Sequence, residues 1–425
     1  QLHILYNNMK TCINIIFYFL FFLYVPVHAE FRAGMAVKIV TPDPLLPVSG
    51  GVGPSHPVNN KKGDLTVRAF VLDDGITRIA FVSTDFLGFP RALGDKVRKN
   101  VSSIPPENIL IGATHTHSAP DCYGFPDGNG GTSADLEYLE FVCTKAAQAI
   151  LEAVKRLEPV SLKIASGEAH GKIAYNSYAD ELYDPRCHII QAITSEGEPL
   201  ATLVNYAIHP EVLGDGQNIL SPDLIGPLYD RLEMKGGGTG IFMNSAQGGM
   251  VTADVRGPDG KDIRTWNECI RIGHLLADEA LRIIRDAPKQ INPRIFCGWR
   301  DVSLPIESEM ILSIINQSPV LSGSYNEKRV QTRINLVNIG NAQILTIPGE
   351  ALPNIGYYLK RNMNGKHNIL FGLTNDAYGY ILSKVDWNSF KIYNYVTQTG
   401  LGEKTGEIYI KEAIQLIKQS PAPLN

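Results

Sequence analysis

The sequence predicts a single domain of the α/β class, in which mixed β-sheets pack against helices and the candidate site lies at strand ends. Apolar runs with strand character alternate with amphipathic helical patterns from about residue 30 to the C-terminus. No internal repeat, low-complexity tract or linker rich in Gly, Ser or Pro divides the chain. The alternation is too irregular for a barrel of eight βα units, so we expect mixed sheets.

Predicted strands and helices are distributed over the whole chain after residue 64. Residues 65–72 and 76–84 are β-type runs joined at Asp73-Asp74-Gly75, a pattern typical of a hairpin. Residues 134–157 carry apolar side chains at helical spacing. The other predicted helices are residues 91–101, 222–234, 263–285, 352–363 and 403–418. The other predicted strands are residues 108–112, 160–165, 187–193, 200–208, 240–243, 294–305 and 368–373, and residues 333–348 are strand-rich with a tight turn at Gly340-Asn341.

Composition excludes several classes of protein. The chain has 425 residues, 44% of them hydrophobic, with 39 Lys and Arg against 43 Asp and Glu. The ample apolar fraction and the small net charge exclude a disordered chain. A nucleic-acid partner is not expected, because phosphate binding requires a surplus of basic residues. A polytopic membrane protein is excluded because one long apolar run occurs, and it is N-terminal.

The N-terminal segment predicts an export signal. Residues 13–25 are almost entirely Ile, Phe, Tyr, Leu and Val, and they follow a basic start at Met9-Lys10. Val27-His28-Ala29 resembles a cleavage site, so residues 1–29 are expected to be a signal peptide with a few upstream residues. The apolar core is shorter than the roughly 20 residues of a membrane span. We expect a secreted or periplasmic protein with no integral membrane span after signal removal; a membrane anchor is the alternative.

The cysteines do not predict a metal site. Export permits disulfides. An odd number of cysteines remains after residue 29, and none forms a Cys-x-x-Cys pair, which argues against a disulfide framework or a thiolate site. Buried or free thiols with at most two bridges are expected. These cysteines are Cys122, Cys143, Cys187, Cys269 and Cys297.

Four polar clusters lie where predicted strands stop. They are residues 114–117 (Thr-His-Thr-His), 207–210 (Ala-Ile-His-Pro), 347–350 (Ile-Pro-Gly-Glu) and 375–380 (Asn-Asp-Ala-Tyr-Gly-Tyr). In an extended chain, side chains at i and i+2 point the same way, so both histidines of the first cluster can face one site. Because α/β proteins place their sites at strand ends, we expect the four clusters to converge.

The residue types in these clusters are those that bind zinc. Imidazole nitrogen and carboxylate oxygen are the usual ligands of catalytic Zn²⁺, so two histidines of these clusters together with Glu350 would make such a site. The phenolate of Tyr380 is a possible fourth, weaker ligand. Each residue alone has a structural alternative: hydrogen-bonded loop histidines, a packed aromatic ring, or a carboxylate that caps the helix after residue 350. Their joint occurrence at strand ends favours the metal site.

The same motifs resemble those of the catalytic N-terminal domain of the neutral/alkaline non-lysosomal ceramidases, zinc amidases that hydrolyse the N-acyl bond of ceramide. Residues 114–120 (Thr-His-Thr-His-Ser-Ala-Pro) are similar to the family's T-H-T-H-S-G-P. The second His motif, the P-G-E motif and the N-x-x-x-x-Y-I segment resemble residues 205–210, 348–350 and 375–381. The resemblance implies that the zinc ligands are His115, His209, Glu350 and Tyr380. It also implies that His117 faces the substrate as the catalytic residue.

The chain departs from the family at two substrate-facing segments. Where the family has G-D-V-S-P with an active-site serine, this chain has residues 248–252 (Gly-Gly-Met-Val-Thr), which puts Val251 at the serine position. Asn176-Ser177 replaces a family segment that carries an arginine. The family's further β-sandwich domain is not expected within residues 30–425, which form the predicted catalytic domain. The substrate is therefore expected to be a small-molecule or lipid N-acyl amide, with ceramide itself left open.

The missing serine favours metal-activated water over a serine nucleophile. Zn²⁺ supplies hydroxide near neutral pH, whereas a nucleophilic serine needs an adjacent base, and the chain has no G-x-S-x-G elbow. Ser245 remains the nearest alternative nucleophile. His117 would stabilise the oxyanion or protonate the leaving amine.

Further candidates line the predicted site. Asp223, Gly248 and Gly249 are candidates for contact with the substrate; the alternatives are a helix or turn cap for Asp223 and a tight turn for the two glycines. Asp85 either orients a ligand histidine or caps a turn. Two other functions stay open, namely a metal hydrolase acting on another amide, ester or sugar-linked substrate, and a non-catalytic exported binding protein.

Overall fold

Two mixed β-sheets packed face to face form the centre of the computed structural model, which describes residues 30–322 and 325–424. The predicted signal peptide, residues 1–29, lies outside the described residues. Helices cover the outer faces of both sheets, so the layers follow the order helix, sheet, sheet, helix. The prediction of mixed sheets with packed helices is therefore confirmed.

The strands are numbered in chain order. They are β1 (Arg32–Ile39), β2 (Asn60–Lys61), β3 (Thr66–Asp73), β4 (Arg78–Thr84), β5 (Ile109–Ala113), β6 (Glu158–Glu168), β7 (Ala174–Asn176), β8 (Arg186–Thr194), β9 (Pro199–Tyr206), β10 (Ile219–Leu220), β11 (Thr239–Asn244), β12 (Val251–Ala253), β13 (Lys289–Gln290), β14 (Ile295–Pro305), β15 (Tyr325–Asn326), β16 (Arg329–Ile339), β17 (Ala342–Thr346), β18 (Glu350–Ala351), β19 (His367–Phe371) and β20 (Tyr380–Ile381).

The α-helices of the described residues are also numbered in chain order. They are α1 (Arg91–Lys99), α2 (Leu136–Lys155), α3 (Ile225–Met234), α4 (Trp266–Ile284), α5 (Glu309–Gln317), α6 (Pro353–Asn362), α7 (Asn394–Gln398) and α8 (Thr405–Gln419). Short 3₁₀ turns occur at Pro106–Asn108 and Lys391–Tyr393. No helix of residues 30–322 and 325–424 has the length and apolar character that crossing a bilayer requires.

The larger sheet has the strand order β11-β9-β8-β6-β1-β3-β4-β5, with β13 added beside β6. Its two end pairs, β11 with β9 and β4 with β5, are parallel, and the pairs between them are antiparallel. The second sheet has the order β14-β16-β17-β19, with β15 beside β16, and its β17 and β19 are parallel. Each of these parallel pairs contributes one or two strands that lead into a predicted site cluster.

The larger sheet is strongly curled, so that its two ends approach each other. Arg68 on β3 donates from Nη1 to the carbonyl oxygen of Gly240 on β11 over 2.9 Å. Ser83 on β4 donates from Oγ to the carbonyl oxygen of Phe242 on β11 over 2.6 Å. Strands that are far apart in the sheet order are thereby neighbours in space. The curl brings the loop after β5 close to the loop after β9.

Apolar side chains fill the space between the sheets and beneath the helices. Phe81 of the larger sheet and Phe371 of the second sheet meet edge to face, with ring centroids 5.2 Å apart. On the outer face of the larger sheet, α2 packs on β1 and β3. Gly34 on β1 permits this approach, because a Cβ atom there would lie only 2.0 Å from the carbonyl oxygen of Ala153. Removal of this apolar surface from water is the main stabilising contribution to such a core.

Most long elements lie where the sequence predicts them, and the misses have local causes. The predicted hairpin is β3–β4, and the predicted helix at 134–157 is α2. The run at 333–348 is two strands, β16 and β17, joined at the turn of Gly340 and Asn341. Neither β1 nor α5 was predicted. The α5 segment is a short run rich in Ile. The periodicity of such a short apolar run does not show whether it forms a helix or a strand.

Candidate metal centre and active site

Asn244, the last residue of β11, joins the two loops that carry the predicted histidine ligands. Its Nδ2 donates to the carbonyl oxygen of Thr114 over 3.1 Å and to that of Ile208 over 2.7 Å. Each of these residues immediately precedes a predicted ligand, His115 or His209. The ring centroids of the two histidines are 4.7 Å apart. The curl of the sheet and the Asn244 amide together bring the first two clusters to one place.

His115 does not have the extended backbone that the sequence pattern predicts. Strand β5 ends at Ala113, and His115 has a φ of 74°, in the left-handed region that non-glycine residues rarely adopt. The expected reason for the convergence of His115 and His117 is therefore wrong. Their rings nonetheless meet edge to face with centroids 4.7 Å apart. Strain of this kind persists where the surroundings fix the backbone, as they often do at functional sites.

Backbone carbonyl groups fix the orientation of both predicted ligand rings. Nδ1 of His115 lies 2.5 Å from the carbonyl oxygen of Leu87, and Nδ1 of His209 lies 2.8 Å from that of Val251. A carbonyl oxygen only accepts hydrogen bonds, so each Nδ1 carries the proton and donates it. In the neutral rings, each Nε2 is then an unprotonated donor atom, as a metal ligand must be.

Both Nε2 atoms face the same oxygen of Glu350. The distances to Oε2 are 3.3 Å from His115 and 3.1 Å from His209. Burial would raise the pKa of Glu350, but the two imidazoles outweigh it and hold that pKa well below its usual range. Burial likewise opposes the charged form of His209, yet its pKa is raised because Glu350 and Glu211 favour the positive charge. This buried site therefore attracts positive charge, and a metal cation fits its donor set.

Tyr380 lies beside this set on a paired short strand. Strands β18 and β20 are parallel neighbours in which Glu350 is in register with Tyr380. The Tyr380 hydroxyl oxygen is 3.5 Å from Nε2 of His209 and 3.3 Å from the sulfur of Met250. Burial raises the pKa of the Tyr380 phenol well above its usual range. The fourth predicted cluster is thus adjacent to the other three.

His117 supplies a third imidazole at the same site. Ligand nitrogens of His115, His117 and His209 all lie within 4.8 Å of one another, an arrangement that could hold a metal ion. Nε2 of His117 is buried without a hydrogen-bond partner among the described residues, and burial lowers the pKa of the ring to about 3. Its Nδ1 lies 3.8 Å from Oε2 of Glu211. His117 is therefore a neutral imidazole with a free nitrogen at the centre of the site.

Glu211 was not among the predicted site residues. It follows His209-Pro210 directly, and that position was the available signal in the sequence. Burial would raise the pKa of Glu211, but His117 and His209 outweigh it and lower that pKa. The geometry makes Glu211 the carboxylate beside His117, while Glu350 lies between the other two histidines.

A narrow cavity of about 80 Å³ reaches the site from the surface. His115, His117, Glu350 and Tyr380 lie at its polar end. Its walls are otherwise mainly apolar and aromatic, with contributions from the glycine-rich loop at 50–52, the loop at 123–125, α5 and the residues around 395. The apolar members are Val52, Leu87, Phe125, Ile311, Ile314, Ile315 and Leu321. An extended apolar group could therefore lie along the cavity with a polar bond at the histidines.

The three candidates for contact with the substrate lie elsewhere. Asp223 is buried, and its two carboxylate oxygens accept the backbone N–H groups of Leu213 and Leu224 at 2.8 and 2.7 Å. Gly248 packs against the main chain of Glu350, and its N–H donates to the carbonyl oxygen of Ala351 over 3.0 Å. Gly249 has a φ of 71° in the same turn. The structure therefore gives these three residues roles in shaping the loops around the site and does not place them on the cavity wall.

Two further candidates also have structural roles. The carboxylate of Asp85 accepts from both the backbone N–H and the hydroxyl of Thr66, at 2.8 and 2.7 Å, and it bonds to neither ligand histidine. It therefore holds the end of β4 against the start of β3, which is a structural role rather than the orientation of a ligand histidine. Ser245 is buried beside the backbone of Gly372 and does not line the cavity.

The two segments that depart from the family pattern pair with each other. In the short antiparallel pair of β12 and β7, Val251 lies opposite Asn176. The Val251 side chain is fully buried in the core beneath α3 and α4. Ser177 donates its backbone N–H to the carbonyl oxygen of Met250 over 3.0 Å. The replaced serine and arginine positions therefore belong to one structural unit.

Comparisons with known proteins agree with the motif resemblance. No family model matches the chain. Neutral ceramidase B of Dictyostelium discoideum is 26% identical over 228 residues, which are 46% of this chain and 31% of that protein. The neutral ceramidase of Pseudomonas aeruginosa is 24% identical over 178 residues, 37% of this chain and 26% of that protein. The matched segments thus span about a third or less of these relatives.

Solved structures extend the likeness over nearly the whole fold. The crystal structure of neutral ceramidase from Pseudomonas aeruginosa superposes with a TM-score of 0.73 at 16% identity, covering 93% of this chain and 76% of that one. A structure described as ceramidase complexed with C2 gives a TM-score of 0.72 at 17% identity, with the same coverage. At such low identity the superposition shows the shared fold. Together with the sequence matches it confirms the resemblance to the neutral ceramidase family.

Proposed function

We propose that this chain, a relative of the neutral ceramidases, is an exported zinc-dependent hydrolase that cleaves an N-acyl amide bond. The observation that carries the proposal is the placement of His115, His209 and Glu350 around one point at the polar end of an apolar cavity. His117 lies next to them with an unpaired Nε2. Four sequence clusters separated by up to some 260 residues meet there, which a merely structural role for each would not require.

The proposed zinc ligands are Nε2 of His115, Nε2 of His209, a carboxylate oxygen of Glu350 and the hydroxyl oxygen of Tyr380. Two imidazoles and one carboxylate are a common protein set at catalytic zinc. The buried carboxylate and the two rings fixed through Nδ1, with Nε2 facing that carboxylate, support this choice, since the site stabilises positive charge. When bound, Zn²⁺ polarises a substrate carbonyl and activates water near neutral pH.

His117 is the proposed proton-handling residue. Its Nδ1 faces the Glu211 carboxylate at 3.8 Å, and the negative charge there favours the tautomer with the proton on Nδ1, which leaves Nε2 unprotonated. Nε2 can then take a proton from the attacking water and deliver it to the nitrogen of the leaving amine. In its protonated form the same atom can donate a hydrogen bond to the developing oxyanion.

The lining of the cavity supports a substrate with an apolar acyl part, either a small molecule or a lipid. The apolar wall between α5 and the loop at 123–125 can accept hydrocarbon, while the amide bond lies at the histidines. The names of the matched relatives point to the same substrate class. We propose an N-acyl amide as the substrate, and ceramide is the first member of the class to test.

A zinc hydrolase of a different amide, ester or sugar-linked substrate is a second candidate. The two segments in which the family has a substrate-facing serine and arginine are the paired strands β12 and β7 and the residues beside them. Both residues are replaced in this chain, which favours a substrate other than ceramide. A non-catalytic binding protein would keep the fold and the metal without turnover. A panel of N-acyl amides, esters and glycosides separates these possibilities.

We further propose that residues 30–425 form the catalytic domain and that the protein is secreted or periplasmic. The support is the apolar run at 13–25 followed by the cleavage-type sequence at 27–29. Sequencing the N-terminus of the exported protein tests both points, and the expected first residue is Glu30. A mature protein that keeps residues 13–25 would indicate a membrane anchor.

The proposed function is tested by measuring metal content and turnover on the same sample. Purified protein should contain about one zinc per chain and should release fatty acid from a short-chain ceramide or a related N-acyl amide. Dialysis against a strong chelator should remove both metal and activity, and added Zn²⁺ should restore both. Turnover that persists in metal-free protein, or stoichiometric zinc without turnover on any member of the panel, would refute the proposal.

A further inference from the structure

A second cavity, of about 380 Å³, lies where the C-terminal end of α6 meets β8 and the start of β19. We call it the basic cavity, because its wall carries Arg186, Lys360, Arg361 and Lys366. Helix α6 starts three residues after Glu350 and has ten residues, so it is about 15 Å long. The basic cavity at its far end is thus separate from the candidate metal centre.

Lys360 is buried at the inner wall of the basic cavity and anchors a chain of hydrogen bonds. Its Nζ lies 2.8 Å from Oδ2 of Asp184 and 2.8 Å from Nε2 of His188. Burial and the nearby ammonium group lower the pKa of His188 well below its usual range, so this ring is neutral. The ammonium group can only donate, and Nε2 of His188 is therefore the acceptor.

The rest of this chain of hydrogen bonds follows from that assignment. Nδ1 of His188 carries the proton and donates to Oγ of Ser166 over 2.7 Å. The hydroxyl of Ser166 in turn donates to Nδ1 of His367 over 3.0 Å. Every acceptor along the chain already has a donor.

The hydrogen-bond donors of the uncharged side chains Tyr357 and Asn368 are also engaged within the protein. The hydroxyl of Tyr357 donates to the carbonyl oxygen of Tyr183 over 2.6 Å. The side-chain nitrogen of Asn368 donates to the carbonyl oxygen of Lys360, and its side-chain oxygen accepts the N–H of Gly365. The polar groups that remain available to a ligand are therefore the N–H donors of the cationic side chains.

The cationic side chains are only partly neutralised. Asp184 bonds to Lys360 and, through both carboxylate oxygens, to Arg186. Among the residues that the structure describes, neither Arg361 nor Lys366 forms an ion pair, and both are exposed. The four cations of the wall and Asp184 together leave an excess of three positive charges at the basic cavity; Glu168 lies opposite Arg186 in the β6–β8 pair but forms no ion pair with these cations within the described residues. Such an excess of donors and charge favours an anionic ligand with several acceptor oxygens.

We propose that the basic cavity binds a phosphate group, carried either by a soluble phosphate ester or by a lipid headgroup. A phosphate monoester has a charge of about −1.5 to −2 and three acceptor oxygens, which match the unpaired donors of Arg361, Lys366 and Arg186. A single carboxylate would leave most of these donors and charges unmatched. The proposal is independent of the function assigned to the metal centre.

Calorimetric titration at constant ionic strength tests the proposal, with inorganic phosphate and glycerol phosphate as soluble probes. Sedimentation with vesicles that contain phosphatidic acid, a lipid phosphate monoester, and with phosphatidylcholine vesicles as the control tests the lipid source. The test variant is Arg361→Gln/Lys366→Gln, whose two residues are exposed and unpaired, so we expect it to fold. The matched control is Lys99→Gln/Lys235→Gln, which removes the same charge at exposed positions outside the cavity.

The expected result is saturable binding that weakens at least tenfold in the test variant and less than twofold in the control. Binding of the soluble probes assigns a soluble phosphate, and binding confined to vesicles with phosphatidic acid assigns a lipid headgroup. Equal affinity of the test variant and the control would overturn the proposal, as would no saturable binding of any probe. A second variant, Lys360→Met, should abolish binding if it remains folded, and retained affinity in it would also count against the basic cavity.

Discussion

The carbonyl oxygen of Val251 lies 2.8 Å from the backbone nitrogen of His209 and 2.8 Å from its ring Nδ1. One carbonyl group therefore fixes both the main chain and the ring of a proposed zinc ligand. The Val251 side chain points the other way, into the core beneath α3 and α4. The residue type at this position can thus change without disturbing the metal centre, provided that the main chain keeps its path.

Val251→Ala should lower the free energy of unfolding by about 1–2 kcal/mol, because it removes two buried methyl groups and leaves a small space. Zinc content should stay at the wild-type level, since the carbonyl group that binds His209 is unchanged. Urea denaturation of the metal-loaded protein and metal analysis measure the two effects. A variant that is stable but free of zinc would show that the side chain itself supports the ligand.

Ser245→Ala should keep most of the hydrolytic activity. Ser245 does not line the cavity that reaches His115 and His117, so it cannot attack a bound carbonyl. The measurement is kcat/KM on the best substrate of the amide panel, and the expected change is less than threefold. Mass spectrometry of the wild-type enzyme, quenched during turnover, shows whether a covalent acyl-enzyme forms. An acyl group trapped on Ser245 or Thr252 would contradict a mechanism based on activated water.

Glu350→Gln should weaken zinc binding by about 100-fold or more, since it removes the negative charge between the two ligand nitrogens. Competition with a calibrated chelator measures the affinity. The matched control is Glu137→Gln, an exposed carboxylate on α2 that forms no ion pair within the described part of the chain. The control should bind zinc like the wild type. Equal zinc affinities of the two variants would remove Glu350 from the proposed ligand set.

The strand-end clusters made much of this site predictable, because the residue types that bind zinc are few and their positions after strands were readable. The backbone at His115 was not predictable, since its left-handed conformation depends on hydrogen bonds to residues 84–87 that only the folded chain provides. Asn244 and the Val251 carbonyl were also missed. Each forms hydrogen bonds in which one partner is a main-chain carbonyl group of a distant segment. Carbonyl groups are present at every residue, so the sequence does not indicate which of them form such bonds.

The sequence predicted that the four clusters converge, but it did not predict the cause of the convergence, which is the curl of the larger sheet. Strands β5 and β9 are far apart in the order of the larger sheet, and the sequence contains no signal for the bonds from Arg68 and Ser83 to β11. For Asp223 and Gly248 the sequence left two interpretations open, and the contacts in the folded chain agree with the structural one, because these residues bind and pack against the main chain of the site loops.

His117→Ala should reduce kcat by about 100-fold or more and leave zinc content unchanged. The loss of a positioned acid–base or oxyanion group usually has an effect of this size. Retained zinc would separate a catalytic role for His117 from a role as ligand, which is the alternative raised by the proximity of the three histidines. A variant that loses both zinc and activity would place His117 among the ligands and would contradict its proposed role.

Gly248→Ala should damage the metal centre without touching any ligand side chain. A Cβ atom at residue 248 would lie 2.2 Å from the carbonyl oxygen of Glu350 and 2.7 Å from the carbonyl carbon of Ala351. Both atoms belong to the main chain, so they cannot move aside as the end of a flexible side chain could. We expect the strand that carries Glu350 to shift, with a fall in the free energy of unfolding of about 1–3 kcal/mol.

The matched control for this substitution is Gly216→Ala, at an exposed loop position where an added Cβ would meet no atom within 4 Å. The control should stay within about 0.5 kcal/mol of the wild type, as most surface substitutions do. Denaturation of both variants without metal isolates the packing effect, and a zinc titration then measures the shift at Glu350. Because the shift displaces one of the proposed ligands, Gly248→Ala should also bind zinc at least tenfold more weakly than Gly216→Ala. Unchanged stability and unchanged zinc affinity in Gly248→Ala would show that the loop at 248–249 can move away from Glu350.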